Sequence, residues 1–288
     1  VLSARLLLDI PRERKLNHKI LNASYNNYGS ILKPQISQKG DRSEYLWEFK
    51  DIPQIIPESN MPPITEISPV ILISSFNTWQ ELYDWWWGLA KDKIKADPAI
   101  IDKVAELTSG KSSLREKARA IYNFCAKDIR YVAVEYGQAG YEPHNAADIF
   151  SNKYGDCKDQ AILLVTMLRQ AGLEAYPVLI ATKGAINLQK DFPAMHLNHC
   201  IAVVKIDKED IFLDPTASTC ALGDLPADDQ NMAVIVFKDS GYGLQETLLY
   251  PAQHNKLVQD SDIKIGPDEA ISAQRGIFTY GNYDQMQR

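Results

Sequence analysis

Tyr154-Gly155-Asp156-Cys157-Lys158-Asp159-Gln160 leads into a run, Ala161 to Leu168, that is apolar but for Thr166, and Gly172 stops it. A glycine-bearing turn here delivers a cysteine to the start of a helix, Lys158 to Ala171, that must be buried on most sides. At a helix N-terminus the first N–H groups have no acceptor within the helix, and the positive end of the dipole favours an anion. A thiolate is therefore favoured at position 157. The same N–H groups can receive the oxyanion that forms when a thiolate attacks an acyl carbon.

A nucleophilic thiol needs a base, and the base needs an orienting partner. His199 opens an apolar strand, Asn198 to Ile206, and Asp214 closes another, Ile211 to Asp214. The turn Asp207-Lys208-Glu209-Asp210 joins them as an antiparallel hairpin, which sets the start of one strand beside the end of the next. Cys157, His199 and Asp214, in that order, then have the composition of a thiol-hydrolase or acyl-transferase triad. His196 competes as the base, but Met195-His196 reads as loop whereas Asn198-His199 begins the strand. Tyr131 and Gln138 are candidates for a further oxyanion donor, and His144 and Asp156 for the cleft lining.

Zinc is the chemical rival, with Cys157, His196, His199 and Cys200 as ligands. Residues 199 and 200 of a strand point to opposite faces, so neither a metal nor another cofactor is expected. None of the four cysteines forms a CxxC motif. Cys125 falls on the apolar stripe of a helix and reads as core; whether Cys200 and Cys220 pair is left open.

The 288 residues suggest about two domains. A net charge of −6, with the basic residues scattered, argues against nucleic acid or an anionic membrane as the main partner. The longest apolar run falls well short of the ~20 residues that span a bilayer. Val1 reads as mid-strand without a basic-then-apolar leader, as expected of a processed or excised piece.

Residues 1–75 read as a β-rich domain: Val1 to Ile10, Glu44 to Lys50 and Ser68 to Ser74 are strands, with turns at Pro34 and Gly40-Asp41 and an extended stretch from Ile52 to Pro63. Residues 76–254 form the core with its leading helices. Capping boxes at Thr78–Glu81 and Ser113–Glu116 open two of these helices, and Asp97-Pro98 opens a third that Gly110 ends. Trp85, Trp86 and Trp87 cannot share one helix face, so their helix must contact more than one surface and is expected to be wedged between two domains; the alternative is an aromatic platform for a sugar. Ile129 to Tyr136, Glu174 to Thr182, Met232 to Phe237 and Gln245 to Tyr250 read as further strands. Residues 255–288, with Ile263 to Ile265 and Ala270 to Tyr280, read as the start of a C-terminal β segment or domain.

Gly155-Asp156-Cys157-Lys158-Asp159, the helix from Leu163-Leu164 to Gly172, Asn198-His199-Cys200 and Leu213-Asp214-Pro215-Thr216 resemble the transglutaminase-like superfamily. Ile129 to Gly137 and Met61-Pro62-Pro63 resemble its bacterial subgroup with an N-terminal β domain of the DUF3857 type. The resemblance covers roughly residues 45–250. It implies an α+β, papain-like core, a nucleophile-bearing helix packed on an antiparallel sheet, preceded by a β-rich domain. It further implies Cys157 as nucleophile, His199 as base and acid, Asp214 as orienter, a thioester intermediate and no metal. Peptide, protein or peptidoglycan-derived substrates and a periplasmic or exported setting follow from it. A binding or scaffold module that keeps the fold and engages a protein or glycan is the alternative of a different class.

Overall fold

The computed structural model describes residues 3–22, 33–51, 54–133 and 135–288. The chain begins with β1 (Ser3–Pro11), β2 (Asn17–Leu21), β3 (Gln35–Lys39), β4 (Arg42–Lys50), α1 (Ile64–Ile67) and β5 (Val70–Ser74). β1, β4 and β3 form an antiparallel sheet, and β3 turns into β4 at Gly40-Asp41 as expected. β2 pairs with β5 instead, and Leu21, Val70 and Leu72 pack on Phe192 and Ala194 of the core. Neither β2 nor β3 was expected; every residue of β3 is exposed, so it has no buried face to impose an alternating pattern. Val1 and Leu2 of the first expected strand, and Ile52 and Pro53 of the extended stretch, lie outside the described residues.

Next come α2 (Trp79–Ala90), α3 (Pro98–Thr108) and α4 (Leu114–Asp128). Thr78, Asp97 and Ser113 cap them, each side chain accepting from the N–H three residues on. Ser113 and Glu116 form the full reciprocal box, whereas Glu81 reaches one residue further back, to Asn77 N–H. β6 (Arg130–Tyr131), α5 (Ala146–Asn152), β7 (Tyr154–Gly155) and α6 (Cys157–Gln170) follow. The expected strand Ile129 to Tyr136 is cut to β6, because its parallel partner β7 is only two residues long; Val134 lies outside the described residues.

The centre of the molecule is a five-stranded antiparallel sheet in the order β10 (Glu209–Leu213), β9 (His199–Ile206), β8 (Glu174–Ile180), β11 (Ala233–Lys238), β12 (Gly241–Glu246). In β9, Cys200, Ala202, Val204 and Ile206 join the large core beneath α6, whereas Ile201 and Val203 join a smaller cluster on the opposite face. Both faces are buried, which explains the near-continuous apolar runs. The β9–β10 turn is tighter than expected: only Asp207 and Lys208 lie outside the strands, both with positive φ, the geometry of a two-residue hairpin. β12 also departs from expectation, running from Gly241 to Glu246 rather than from Gln245 to Tyr250, because β11 begins at Ala233, which pairs with Glu246. The chain closes with the hairpin β13 (Lys256–Ile265) and β14 (Ile271–Tyr280) and the short α7 (Asn282–Gln287). Among the described residues no helix is long and apolar enough to cross a membrane.

α2 contacts more than one surface, as its tryptophans imply, but the ring partners of Trp85 and Trp86 lie within residues 76–254 and not in a second domain. Trp86 is 1% exposed, its ring centroid 4.3 Å from Phe237 of β11, and its Nε1–H donates to the carbonyl of Tyr141 at 3.2 Å. Trp85 faces the other way, edge-on to Tyr141 and against Phe76. Trp86→Ala removes a ring that joins helix, sheet and loop, and the expected loss is about 3–5 kcal/mol in urea unfolding. A loss below about 1 kcal/mol would mean that the wedge carries little of the packing.

Candidate functional site

Asp156 caps α6 from a 2% exposed position and forms a reciprocal box with Asp159: each carboxylate accepts the other's backbone N–H. Gly155 permits that box. A Cβ at Gly155 would lie 2.5 Å from Asp159 Cβ, closer than real side chains approach. Lys158 is also buried, and its ammonium pairs with Asp156. Burial pushes the Asp156 carboxyl up, and the Lys158 hydrogen bond opposes it. With Gln160 N–H already bonded to the Asp156 carbonyl, the N–H groups of Cys157 and Lys158 stand ahead of the helical ladder.

His199 arrives from the sheet. Its backbone position is fixed by Ile180 opposite and by Asn198, whose side chain accepts Thr182 N–H at 2.9 Å and donates to Thr182 Oγ1 at 3.1 Å. The ring's Nε2 lies 3.2 Å from Asp214 Oδ2, and the ring borders the same hollow as Cys157, whose charge it feels. Asp214, just past β10 and 3% exposed, is itself held: its Oδ1 accepts Thr216 N–H and Oγ1–H, both at 2.8 Å, and its carbonyl accepts the Tyr122 hydroxyl of α4 at 3.1 Å. The structure thus places Cys157 and His199 on one hollow, with Asp214 bonded to the His199 ring.

Burial alone would push His199 down, but the hydrogen bonds and negative charges of Asp214 and Cys157 outweigh it and hold the ring well above its usual value. Asp214 shows the reverse balance: burial raises it, and His199 with Thr216 brings it below the ordinary carboxylate range. The pair therefore favours imidazolium and carboxylate.

A hollow of about 400 Å³ opens over the sulfur, lined by Cys157, Lys158, His199, Trp86, Tyr141 and Met195 among others. A shallower depression of about 760 Å³ adjoins it, sharing Tyr141 and Met195 and reaching Arg14 and Lys15. Another hollow of about 430 Å³, between Arg115 and Tyr250, has no nucleophile–base pair in its wall.

The other expected residues fall in different places. Tyr131, paired with Gly155, has a phenol pushed up to about 12, by burial first and then by the charges of Cys157, Asp156 and its neighbours. Gln138 sits exposed on a single turn, Gly137–Gly140. His144 belongs to another depression, its backbone N–H on Asp159 Oδ1 at 2.8 Å and its Nδ1 3.0 Å from Oδ2. His196 lies near the Asn187 carbonyl, and burial pushes it down. All four cysteines are free and buried. The support residues Thr216, Asn198 and Tyr122 were missed; only the Thr216 hydroxyl, two residues past Asp214, carried a local turn signal.

Among the described residues, His199, Asp214 and Asp229 are a group whose ligand-type atoms lie within 4.8 Å of one another. His199 Nε2 and both Asp214 oxygens are already engaged within the protein, so a cation would have to displace those bonds.

The family model described as the transglutaminase-like superfamily matches residues 101–215, the span from α3 through Asp214-Pro215. No curated protein matches the chain. A solved structure described as a "putative protease" from Parabacteroides distasonis ATCC 8503 superposes with a TM-score of 0.68 at 17% identity, over 92% of this chain and 50% of its own. The chain therefore spans half the length of that structure, and at this identity the likeness shows the fold alone. A "putative cysteine protease" from Cytophaga hutchinsonii, at 9% identity over 96% of this chain and 80% of its own, has a TM-score of 0.35, too low to argue from. The fold is a mixed α/β one, a transglutaminase-like core with β-rich regions beside it.

Because His199 is raised, the stability its ion pair contributes is complete below the usual histidine value near 6.5 and is lost as the pH rises through the folded-state value. Asp214→Asn removes the charge that opposes burial. An NMR titration of the imidazole is expected to show the variant releasing its proton at lower pH than the wild type; an unchanged midpoint would contradict this electrostatic account.

Proposed function

We propose that this chain is a thiol-dependent acyl-transfer enzyme that opens amide bonds in peptide or protein substrates, with Cys157 as nucleophile, His199 as base and acid, and Asp214 as orienter. The observation that carries the reading is the His199 ring, held by Asp214 through Nε2 at 3.2 Å and bordering the same hollow as Cys157. Composition alone would not suffice; the contacts occur in the order the chemistry needs.

The Cys157 proton lies on His199, whose imidazolium Asp214 supports, and the sulfur attacks the amide carbon in the hollow above it. The carbonyl oxygen becomes an oxyanion at the N–H groups of Cys157 and Lys158, with the Tyr131 hydroxyl as a further donor. As the intermediate collapses, the C–N bond breaks, the imidazolium gives its proton to the departing amine, and a thioester remains. Water then attacks the thioester with His199 again accepting a proton, and the carboxylic acid leaves as the thiol is restored. Hydrolysis is preferred to cross-linking because no group in the hollow designates a place for a second amine. Asp156 contributes by capping the helix, and no metal enters the scheme. A subgroup with a DUF3857-type N-terminal domain, peptidoglycan-derived peptides as substrates and an exported or periplasmic setting belong to the same proposal, supported by the motif resemblance alone.

Alkylation by iodoacetamide, mapped by mass spectrometry, tests the reading. Burial pushes the thiols of Cys125 and Cys200 up and that of Cys220 up to about 12, so these three are expected to stay unmodified while Cys157 reacts. His199→Ala is expected to slow labelling of Cys157 by about 10²-fold or more at neutral pH. Incubation with a peptide mixture and an amine donor then distinguishes cleavage from cross-linking by product mass. Slow, uniform labelling of all four thiols would overturn the proposal and favour a binding module.

A further inference from the structure

Asp229 ends a single turn, Ala227–Asp229, and is 2% exposed, yet the triad as described gives it no task. Its position is well fixed. Its N–H donates to the Pro226 carbonyl at 3.0 Å, its own carbonyl accepts the Thr247 hydroxyl, and the preceding Asp228 carbonyl accepts Lys183 N–H at 2.8 Å. Its side chain meets His199 and Asp214 within the 4.8 Å cluster, and its Oδ2 is buried with no donor. The titratable groups facing it are Asp214 and His199 across the site and Cys220 from the loop after β10, with Asp228 on its own turn.

Two carboxylates buried this close repel each other, so one of them keeps a proton well above the usual carboxylate range. Asp214 is the one held as an anion, since its oxygens take His199, Thr216 N–H and the Thr216 hydroxyl. The proton falls to Asp229, and once protonated its carboxyl has in Asp214 the partner that a carboxylate there would lack. We propose that Asp229 is a positioning residue of the triad: its neutral carboxyl donates to the Asp214 carboxylate and holds that group, and through it the His199 ring, in register with Cys157.

The consequence for reactivity rests on the thiol-enzyme reading; the shared proton does not. Burial first, then the charge of Asp214, push Asp229 up to about 7, with His199 opposing. Loss of its proton in that region adds a second negative charge beside His199, which favours the imidazolium and extends the relay to higher pH.

Infrared difference spectra of the wild-type protein against Asp229→Asn, both dialysed against chelator, test the proton directly. A protonated-carboxyl C=O band is expected in the wild type at pH 6, absent from the variant and fading as the pH rises through about 7. The pH profile of Cys157 alkylation supplies the second readout. The Asn variant keeps a donor but cannot ionise, so its alkaline limb is expected to fall at a pH lower by on the order of one unit. Asp229→Leu keeps the volume without the donor and is expected to react at pH 6 about tenfold more slowly than the Asn variant. Absence of the band overturns the proposal, as do superposable profiles for all three proteins. Stoichiometric zinc binding that abolishes the band would assign these atoms to a cation instead and also overturn it. A band present in a wild type whose Cys157 alkylates no faster than the other thiols would leave the carboxyl pair standing and count against the enzyme reading.

Discussion

The contact between His199 Nε2 and Asp214 Oδ2, largely shielded from water, is the constraint around which the core is arranged. A buried imidazole on its own would shed its proton, and a buried carboxylate on its own would take one up; each keeps its charge because of the other. Breaking such a pair from one side strands a charge in a poor solvent, so the surrounding structure has to hold both groups still. It does so from several elements. The two-residue turn at Asp207-Lys208 sets the β9–β10 register, Asn198 pins the head of β9 to Thr182, and Thr216 and Tyr122 clamp Asp214 from the loop and from α4.

The sulfur comes to this pair by a different route. α6 is buried along most of its length, and its first turn is the only part that reaches the hollow over the sulfur. That turn concentrates charge: Asp156, Lys158 and Asp159 are all buried within four residues of Cys157. The arrangement is tolerable because Asp156 and Asp159 accept each other's N–H groups, Lys158 pairs with Asp156, and His144 donates to Asp159. Gly155 makes the turn possible by leaving room for the Asp159 side chain. The helix end is thus fixed by its own capping, independently of the histidine that comes from the sheet.

How far this could be read in advance followed the physics of each element. α6 and β9 have two buried sides and announced themselves as apolar runs, and the acids and the histidine at their ends were conspicuous against that background. The hairpin between His199 and Asp214 was legible for that reason. β3, exposed throughout, left no periodic trace, and β6 was read too long because strand length depends on a partner distant in sequence. His144 looked like a cleft residue because it lies in a Gly- and Pro-bearing loop near the nucleophile in sequence, yet its partner is Asp159. Asp229 was the least legible of all: Asp228-Asp229 looks like an ordinary acidic surface turn, and only the fold sets its carboxyl against Asp214.

The most direct measurement is to catch the intermediate. Protein quenched in acid during turnover of a peptide substrate, followed by intact-mass analysis and peptide mapping, is expected to carry one acyl group on Cys157 that hydroxylamine removes, and none in Cys157→Ala or His199→Ala. Turnover that leaves no such adduct, or an acyl group mapped to any other residue, would contradict the account.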